Sequence, residues 1–156
     1  MNKIQSLVTD LQKAWARLEE AFKLPVTQIN QDASIKRFEL AFELSWKLMQ
    51  TVLAENGIEA YGPKNIIREA AKLGLITDLQ EWFELLRSRN LAVHVYKEIL
   101  AKEVYQKAKK TPLMINELLE NIQKTLSTTS RSSKTEKKSK SPPNTPFGRL
   151  RARVKK

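Results

Sequence analysis

Apolar side chains recur at intervals of three and four residues along most of this chain, and this spacing restricts the folds open to it. The stretch "IQSLVTDLQKAWARLEEAF" places its large apolar residues on one stripe, while lysine and glutamate occupy the other side. A period near 3.6 residues predicts amphipathic α-helices. Only four of the 156 residues are glycine, which suits long uninterrupted helices. We therefore expect an all-α protein.

Proline, glycine and capping residues divide this pattern into separate helices. The expected helices cover residues 3–23, 32–55, 64–72, a segment that starts after Thr77 or Asp78, and 97–126. The second has the widest aromatic stripe, which is typical of a central core helix. Pro112 should kink or restart the last one, because a proline inside a helix loses a hydrogen bond and clashes with the preceding turn.

The basic character of the chain is concentrated at its C-terminal end. Residues 1–126 hold 18 lysines and arginines against 16 acidic residues, whereas residues 127–156 hold 10 against 1. The second segment is rich in Ser, Thr, Lys and Pro, a composition that cannot offset the entropy cost of ordering. We expect a folded domain over 1–126 and a basic, disordered tail over 127–156. The tail is an incidental extension, a segment that adds salt-dependent affinity for RNA, or a regulated or targeting segment.

Several classes of site and location are disfavoured by what the sequence lacks. Without cysteine there can be no disulfide, thiolate metal site or cysteine nucleophile. The sequence shows no glycine-rich phosphate loop and no metal-ligand cluster, so we predict no cofactor and no metal. No apolar run has the length of a signal peptide or of a membrane span, so a cytoplasmic protein without membrane association is expected.

The stretch "RSRNLAVHVY" contains the only histidine of the chain, His94. Five residues turn a helix by about 500°, so Arg89 and His94 would lie about 140° apart on a continuous helix. The β-branched valines of this stretch are weak helix formers and favour a helix end or distortion there. A loop at that point, or a helical dimer, would bring Arg89, His94 and Tyr96 together. Arg87 points about 200° away from Arg89 and is not assigned to the site.

The three side chains suit a partner that contains phosphate. An arginine can hold a phosphate through two parallel hydrogen bonds. A histidine can take a proton from a ribose 2′-hydroxyl or return one to a leaving oxygen, and a tyrosine hydroxyl can bind a phosphate or be modified. The alternative is a structural histidine beside a capping arginine. Glu43 is interpreted as part of a solvated face or a helix salt bridge, and alternatively as a polar site residue that faces His94.

Three motifs, "RFELAFELSWK", "REAAKLGLI" and "RN-x3-H-x-Y", occur in an order and spacing that resemble the HEPN superfamily. The resemblance covers roughly residues 3–124 and is closest to the nucleotidyltransferase substrate-binding proteins. It implies an up-and-down bundle of four to five helices that forms a homodimer. It also implies a separate partner protein, a minimal nucleotidyltransferase.

The resemblance also implies roles for individual residues. In the superfamily an R-x4-6-H signature marks metal-independent ribonucleases whose site is shared between two protomers. Arg89 would then bind the scissile phosphate, His94 would act as acid and base, and Asn90 would be the polar substrate-binding residue that follows the arginine. The partner would silence the enzyme by adenylylating Tyr96. The chain departs from the family pattern at Pro112 and in its basic tail.

Three functional hypotheses remain open at this stage. The first is a two-component, toxin–antitoxin-like module in which this chain cleaves RNA and the nucleotidyltransferase restrains it. The second is a non-catalytic substrate-binding or adaptor subunit for that nucleotidyltransferase. The third is a purely structural helical dimer, in which the candidate site residues have no chemical role.

Overall fold

The computed structural model describes residues 2–139, with side chains to residue 128. Within this range there are α-helices and one 3₁₀ turn, and no strands. The elements are α1 (Lys3–Phe22), α2 (Gln28–Glu55), α3 (Pro63–Leu73), α4 (Leu79–Leu91), the 3₁₀ turn (Ala92–His94), α5 (Glu98–Ala108) and α6 (Thr111–Ser139). The expected all-α bundle is confirmed. In this part of the chain no helix is long and apolar enough to cross a lipid bilayer.

Polar side chains at the helix starts fix where the elements begin. Asn2 and Gln5 form a reciprocal capping box at the start of α1. The Thr27 hydroxyl accepts the Asn30 amide at 3.1 Å, so α2 begins four residues before the expected start at Asp32. Of the two candidate caps for α4, Asp78 is the one that accepts a backbone amide, from Glu81 at 3.1 Å. Each cap satisfies an amide that would otherwise lack a partner at a helix end.

Helix α2 is the central helix of the bundle, as its aromatic stripe predicts. It packs against α1, α3, α4 and α5. Phe38 and Phe42 of α2 are fully buried, and their ring centroids lie 6.2 Å apart. Trp82 of α4 lies 6.4 Å from Phe42, centroid to centroid. Aromatic pairs at this separation add to the energy of burial, so the position and rotation of α4 are set by its contact with α2.

Pro112 restarts the helical chain rather than only bending it. Helix α5 ends at Ala108 and α6 begins at Thr111, with proline in its first turn. Proline is tolerated there because the first amides of a helix have no intrahelical acceptor. The split separates the last expected helix into two.

The chain divides into two compact units, residues 1–123 and 124–156. The second unit is helical to Ser139, as the continuation of α6. Residues 127–139 thus continue α6, and the domain boundary at residue 126 stays a prediction. No glycine or proline occurs between Pro112 and Pro142, and Lys, Glu and Arg are good helix formers. The rest of the predicted tail, 140–156, lies outside the described residues.

The turn after α3 gives a direct test of the local structure. Gly74 caps α3 with φ of +85° and ψ of 15°, a left-handed conformation that alanine rarely adopts. A side chain at this position would meet no atom within 4 Å, so the cost of substitution is one of backbone conformation. We expect Gly74→Ala to lower the free energy of unfolding by about 1 kcal/mol. Gly74→Asn should cost less, because asparagine tolerates this region. Equal stability of all three proteins in urea denaturation would contradict the assigned turn.

Candidate functional site

The last turn of α4 carries the candidate site residues, and buried neighbours hold it in place. Leu85 and Ser88 are buried on the side of α4 that packs into the bundle. The α-helix ends at Leu91 and continues as the 3₁₀ turn to His94. This is the distortion that the β-branched valines indicated. Because the chain keeps winding through this turn, Arg89 and His94 point in different directions, as on a continuous helix.

Arg89 forms an ion pair with Glu43 of α2. Its Nε donates to Glu43 Oε1 at 2.8 Å, and its Nη2 donates to the same oxygen. Both side chains are about 30% exposed, 29% for Arg89 and 30% for Glu43. Partial burial and two charge-assisted hydrogen bonds make this pair stronger than an ion pair in full solvent. Glu43 thus orients the arginine, and it contacts Arg89 rather than His94.

Asn90 completes the hydrogen bonding around the guanidinium group. Its Oδ1 accepts from Arg89 Nη1 at 3.0 Å. A guanidinium has five N–H donors, and these contacts use three of them. One N–H remains on each of Nη1 and Nη2, and each can donate to a phosphate.

His94 and Tyr96 form a second, separate pair beyond the end of α4. The Tyr96 hydroxyl lies 3.4 Å from His94 Nδ1, and their ring centroids are 5.9 Å apart in an edge-to-face arrangement. Tyr96 is 75% exposed, and His94 is also exposed. Both are therefore accessible to another molecule.

The three chemically active side chains open onto three different clefts of the protomer. Arg89 lines a cleft of about 540 Å³ between α2 and α4. His94 lines one of about 430 Å³ between α3 and α4, and Tyr96 one of about 660 Å³ beside the start of α2. Asn90 borders the first two. Among the described residues no hydrogen bond or ion pair joins Arg89 to His94. One protomer thus brings the candidate residues to one end of α4 but not into one pocket.

Exposed apolar side chains surround these residues. Val93 is 71% exposed, Ile99 77% and Leu40 49%. Leu40 and Val93 line the cleft that holds Arg89. Large apolar side chains grouped on a surface indicate a contact with another protein. Sequence analysis did not identify Leu40 or Ile99, because a short apolar stripe does not distinguish a core from an interface.

Titratable residues do not converge elsewhere into a metal site in the described part of the chain. Within residues 2–139, no group of three or more His, Asp or Glu side chains could hold a metal ion. The polar groups near α4 are instead a guanidinium, an amide, an imidazole and a phenol. This set can bind phosphate and move protons.

A family model described as "Nucleotidyltransferase substrate binding protein like" matches residues 7–127. The chain belongs to this family. Residues 87–96 lie inside the matched range, so the candidate site is part of the domain that defines the family. The resemblance inferred from the three sequence motifs is thereby confirmed.

Individual relatives agree with this assignment. The chain is 39% identical over 77 residues to "Probable ribonuclease HepT" of Haemophilus influenzae, and the match covers 46% of the chain and 53% of that protein. The chain thus spans about half the length of this curated relative.

Solved structures with a similar fold come from two bacteria. A crystal structure from Thermus thermophilus has a TM-score of 0.68 and 34% identity, and the match covers 72% of the chain and 98% of that structure. A Haemophilus influenzae structure has a TM-score of 0.67 and 28% identity over 74% of the chain and 98% of that structure, and is described as revealing the fold of a substrate binding domain of a nucleotidyltransferase.

The Arg89–Glu43 pair predicts a measurable coupling between α2 and α4. A double-mutant cycle with Arg89→Gln and Glu43→Gln should give a coupling free energy of about 1 kcal/mol in favour of the native pair. The exposed pair Lys102–Glu98 on α5 is a matched control, for which we expect about 0.3 kcal/mol. Chemical denaturation measures both. A coupling between Arg89 and Glu43 no larger than the control would contradict the role of Glu43 as the anchor of Arg89.

Proposed function

We propose that this protein is the HEPN component of a two-component, toxin–antitoxin-like module and works in the cytoplasm with a minimal nucleotidyltransferase. Its own activity would be metal-independent cleavage of RNA, performed by a homodimer and silenced by adenylylation of Tyr96. The family assignment and the name of the Haemophilus influenzae relative support both the partner and the reaction. The observation that carries the proposal is the exposed His94–Tyr96 pair at the end of the helix that carries Arg89, whose guanidinium keeps two N–H groups beyond its bonds to Glu43 and Asn90.

The proposed reaction is an attack of the ribose 2′-oxygen on the adjacent phosphorus. His94 of one protomer takes the proton from the 2′-hydroxyl as the new O–P bond forms. Arg89 holds the phosphate oxygens, which gain charge, through its outer edge, and Asn90 keeps that edge in place. The bond from phosphorus to the 5′-oxygen breaks, and the second protomer's His94 supplies the proton that this oxygen needs. The products are a 2′,3′-cyclic phosphate and a 5′-hydroxyl end.

A homodimer would complete the site that one protomer leaves divided. Arg89 and His94 line different clefts of the same chain, so a phosphate held by Arg89 needs a histidine from elsewhere. The exposed Val93 and its apolar neighbours give this end of α4 a surface suited to self-association. A two-fold axis near residues 90–96 would place the arginine of one protomer against the histidine of the other.

The position of Tyr96 explains how one modification could stop the reaction. In adenylylation the phenolic oxygen attacks the α-phosphorus of ATP, and pyrophosphate leaves. The new phosphodiester would lie next to His94, because the hydroxyl is 3.4 Å from Nδ1. A bulky anion at this point would occupy the imidazole and repel the phosphate of RNA. Exposure of Tyr96 leaves it open to a transferase.

The second candidate function is that of an adaptor without a reaction of its own. The pairing of Arg89 with Glu43 favours it, because an arginine already bound to a carboxylate is less available to RNA. The description of the second solved relative as a substrate binding domain agrees with it. In this case the cleft beside Tyr96 would serve only to contact the nucleotidyltransferase.

Cleavage without metal is the direct test of the ribonuclease proposal. The purified homodimer should cleave RNA in the presence of EDTA and leave cyclic phosphate ends. His94→Ala should reduce the rate by about 10²- to 10⁴-fold, because proton transfer is lost, with little change in RNA affinity. Arg89→Lys should rescue little of the loss caused by Arg89→Ala, since lysine cannot form two parallel bonds to one phosphate.

The matched control for these variants is Lys13→Ala, a change at an exposed position on α1, which should cleave like the wild type. Cleavage that requires magnesium, or that survives His94→Ala unchanged, would overturn the ribonuclease proposal and leave the adaptor function.

Modification of the tyrosine can be tested by mass spectrometry. Coexpression with an active minimal nucleotidyltransferase should add an adenylyl group to the peptide that contains Tyr96, and Tyr96→Phe should remove this signal. Tyr61 is the matched control, because it is 74% exposed, as open to solvent as Tyr96, and should stay unmodified. Adenylylation of both tyrosines, or of neither, would contradict a specific role for Tyr96.

A further inference from the structure

The cleft that contains His94 continues away from it as a groove between α3 and α4. Its lining residues, which define the α3–α4 groove, are Lys64, Phe83, Leu86, Arg87, Asn90, Leu91 and His94. Its volume of about 430 Å³ lies within the range of small-ligand sites. None of the roles assigned so far uses Lys64, Phe83 or Arg87.

The spacing of residues along α4 explains why these side chains share one groove. Phe83 and Arg87 lie four residues apart on α4 and so within about 40° of the same direction. Leu91, the last residue of α4, lies four residues after Arg87, and the 3₁₀ turn carries the chain on to His94. The distance along the axis from Phe83 to Leu91 is about 12 Å. The groove therefore follows one side of α4 and ends at the candidate acid and base.

The cations of the groove have no acidic partner. Among the described residues no ion pair or hydrogen bond involves the side chain of Lys64 or Arg87, and both are exposed. The acidic residues of α4 outside the groove are neutralised, since Glu81 pairs with Lys110 and Glu84 with Lys107. One side of α4 thus carries balanced charges, and the groove carries unbalanced positive charge. This is the electrostatic pattern of a surface that binds a polyanion.

An aromatic ring lies among these cations. Phe83 is half-buried, and the Arg68 guanidinium carbon lies 5.7 Å from its ring centroid. Arg68 in turn donates to Asn65 Oδ1 at 3.3 Å. The Arg68 guanidinium covers one face of the Phe83 ring, and a nucleobase can displace it and stack there in its place, while the neighbouring cations suit the phosphates on either side.

We propose that the α3–α4 groove binds a single-stranded segment of RNA next to the cleavage point, with a base stacked on Phe83 and phosphates held by Lys64 and Arg87. The inference rests on the proposed ribonuclease function for its choice of RNA as ligand. An acidic peptide would match the positive charges of the groove, but its carboxylate side chains have no planar ring to stack on Phe83 and its leucine neighbours. The groove delivers the strand to His94, and the Arg89 that holds the scissile phosphate there is that of the second protomer.

Binding of an RNA that cannot react separates this inference from the cleavage proposal. The probe is a short fluorescein-labelled oligouridine with 2′-O-methyl groups, which lacks the nucleophile, and fluorescence anisotropy measures its Kd at several salt concentrations. Phe83→Leu should weaken binding by roughly 5- to 100-fold, the value of one lost stacking contact. Phe83→Tyr, which keeps the ring, should bind like the wild type. Thermal melting of both variants checks that the fold is retained.

The cations are tested by the salt dependence of the same measurement. Lys64→Gln and Arg87→Gln should each reduce the slope of log Kd against log salt by about 0.7, the contribution of one phosphate contact on a single strand. Lys13→Gln, on α1, is the matched control and should leave the slope unchanged.

If Phe83→Leu and Arg87→Gln bind the oligouridine as tightly as the wild type does, the inference is overturned, whether or not the protein cleaves RNA. It is also overturned if the wild-type protein binds a polyglutamate peptide of the same charge as tightly as the oligouridine. Weaker binding by these variants, in a protein that cleaves no RNA, would support the groove and refute the ribonuclease.

Discussion

The contact between α2 and α4 determines where every candidate functional group lies. Trp82 packs against Phe42 inside the bundle, and Glu43, the next residue along α2, holds Arg89 at the rim. An apolar and a polar contact, almost two turns apart on α4, leave this helix little freedom to rotate. Its remaining sides then face fixed directions, with Arg89 towards α2 and His94 towards α3. The division of the site between two clefts follows from this rotation.

That division gives the proposed homodimer a chemical purpose beyond stability. A ribonuclease that uses no metal needs a group to hold the phosphate and groups to take and return a proton. One protomer offers the first in the cleft with Arg89 and the second in the groove with His94. Val93 lines the cleft with Arg89 and precedes His94 directly in the chain, so association at this surface would join the two functions.

Much of the fold could be predicted because it depends on local patterns. The spacing of apolar residues predicted the helices, and Pro112 predicted the break between α5 and α6. The start of α2 was missed because a threonine cap at residue 27 outweighed the weak apolar signal before Asp32. Composition predicts disorder from residue 127, whereas the spacing of apolar residues ends near Leu126 and α6 runs on to Ser139.

The site was less predictable, because its main contacts join distant parts of the chain. Glu43 and Arg89 are 46 residues apart in sequence, and no local rule pairs them. Part of the groove could be predicted, since an interval of four residues places Phe83 and Arg87 on one side of α4. From the sequence, Arg87 was not assigned to the site because its side chain points away from Arg89. The structure agrees that the two arginines line different clefts, but Arg87 shares its cleft with His94.

Complementation between two inactive variants tests the central claim that the site is shared by two protomers. Arg89→Gln and His94→Ala proteins would be mixed under conditions that exchange subunits, and RNA cleavage would be measured in EDTA. A mixed dimer retains one Arg89 and one His94 on opposite protomers, so cleavage should rise well above that of either variant alone, with water making the second proton transfer. A mixture of His94→Ala with the double variant is the control and should stay inactive. Cleavage no greater than the sum of the two separate variants would contradict the shared site.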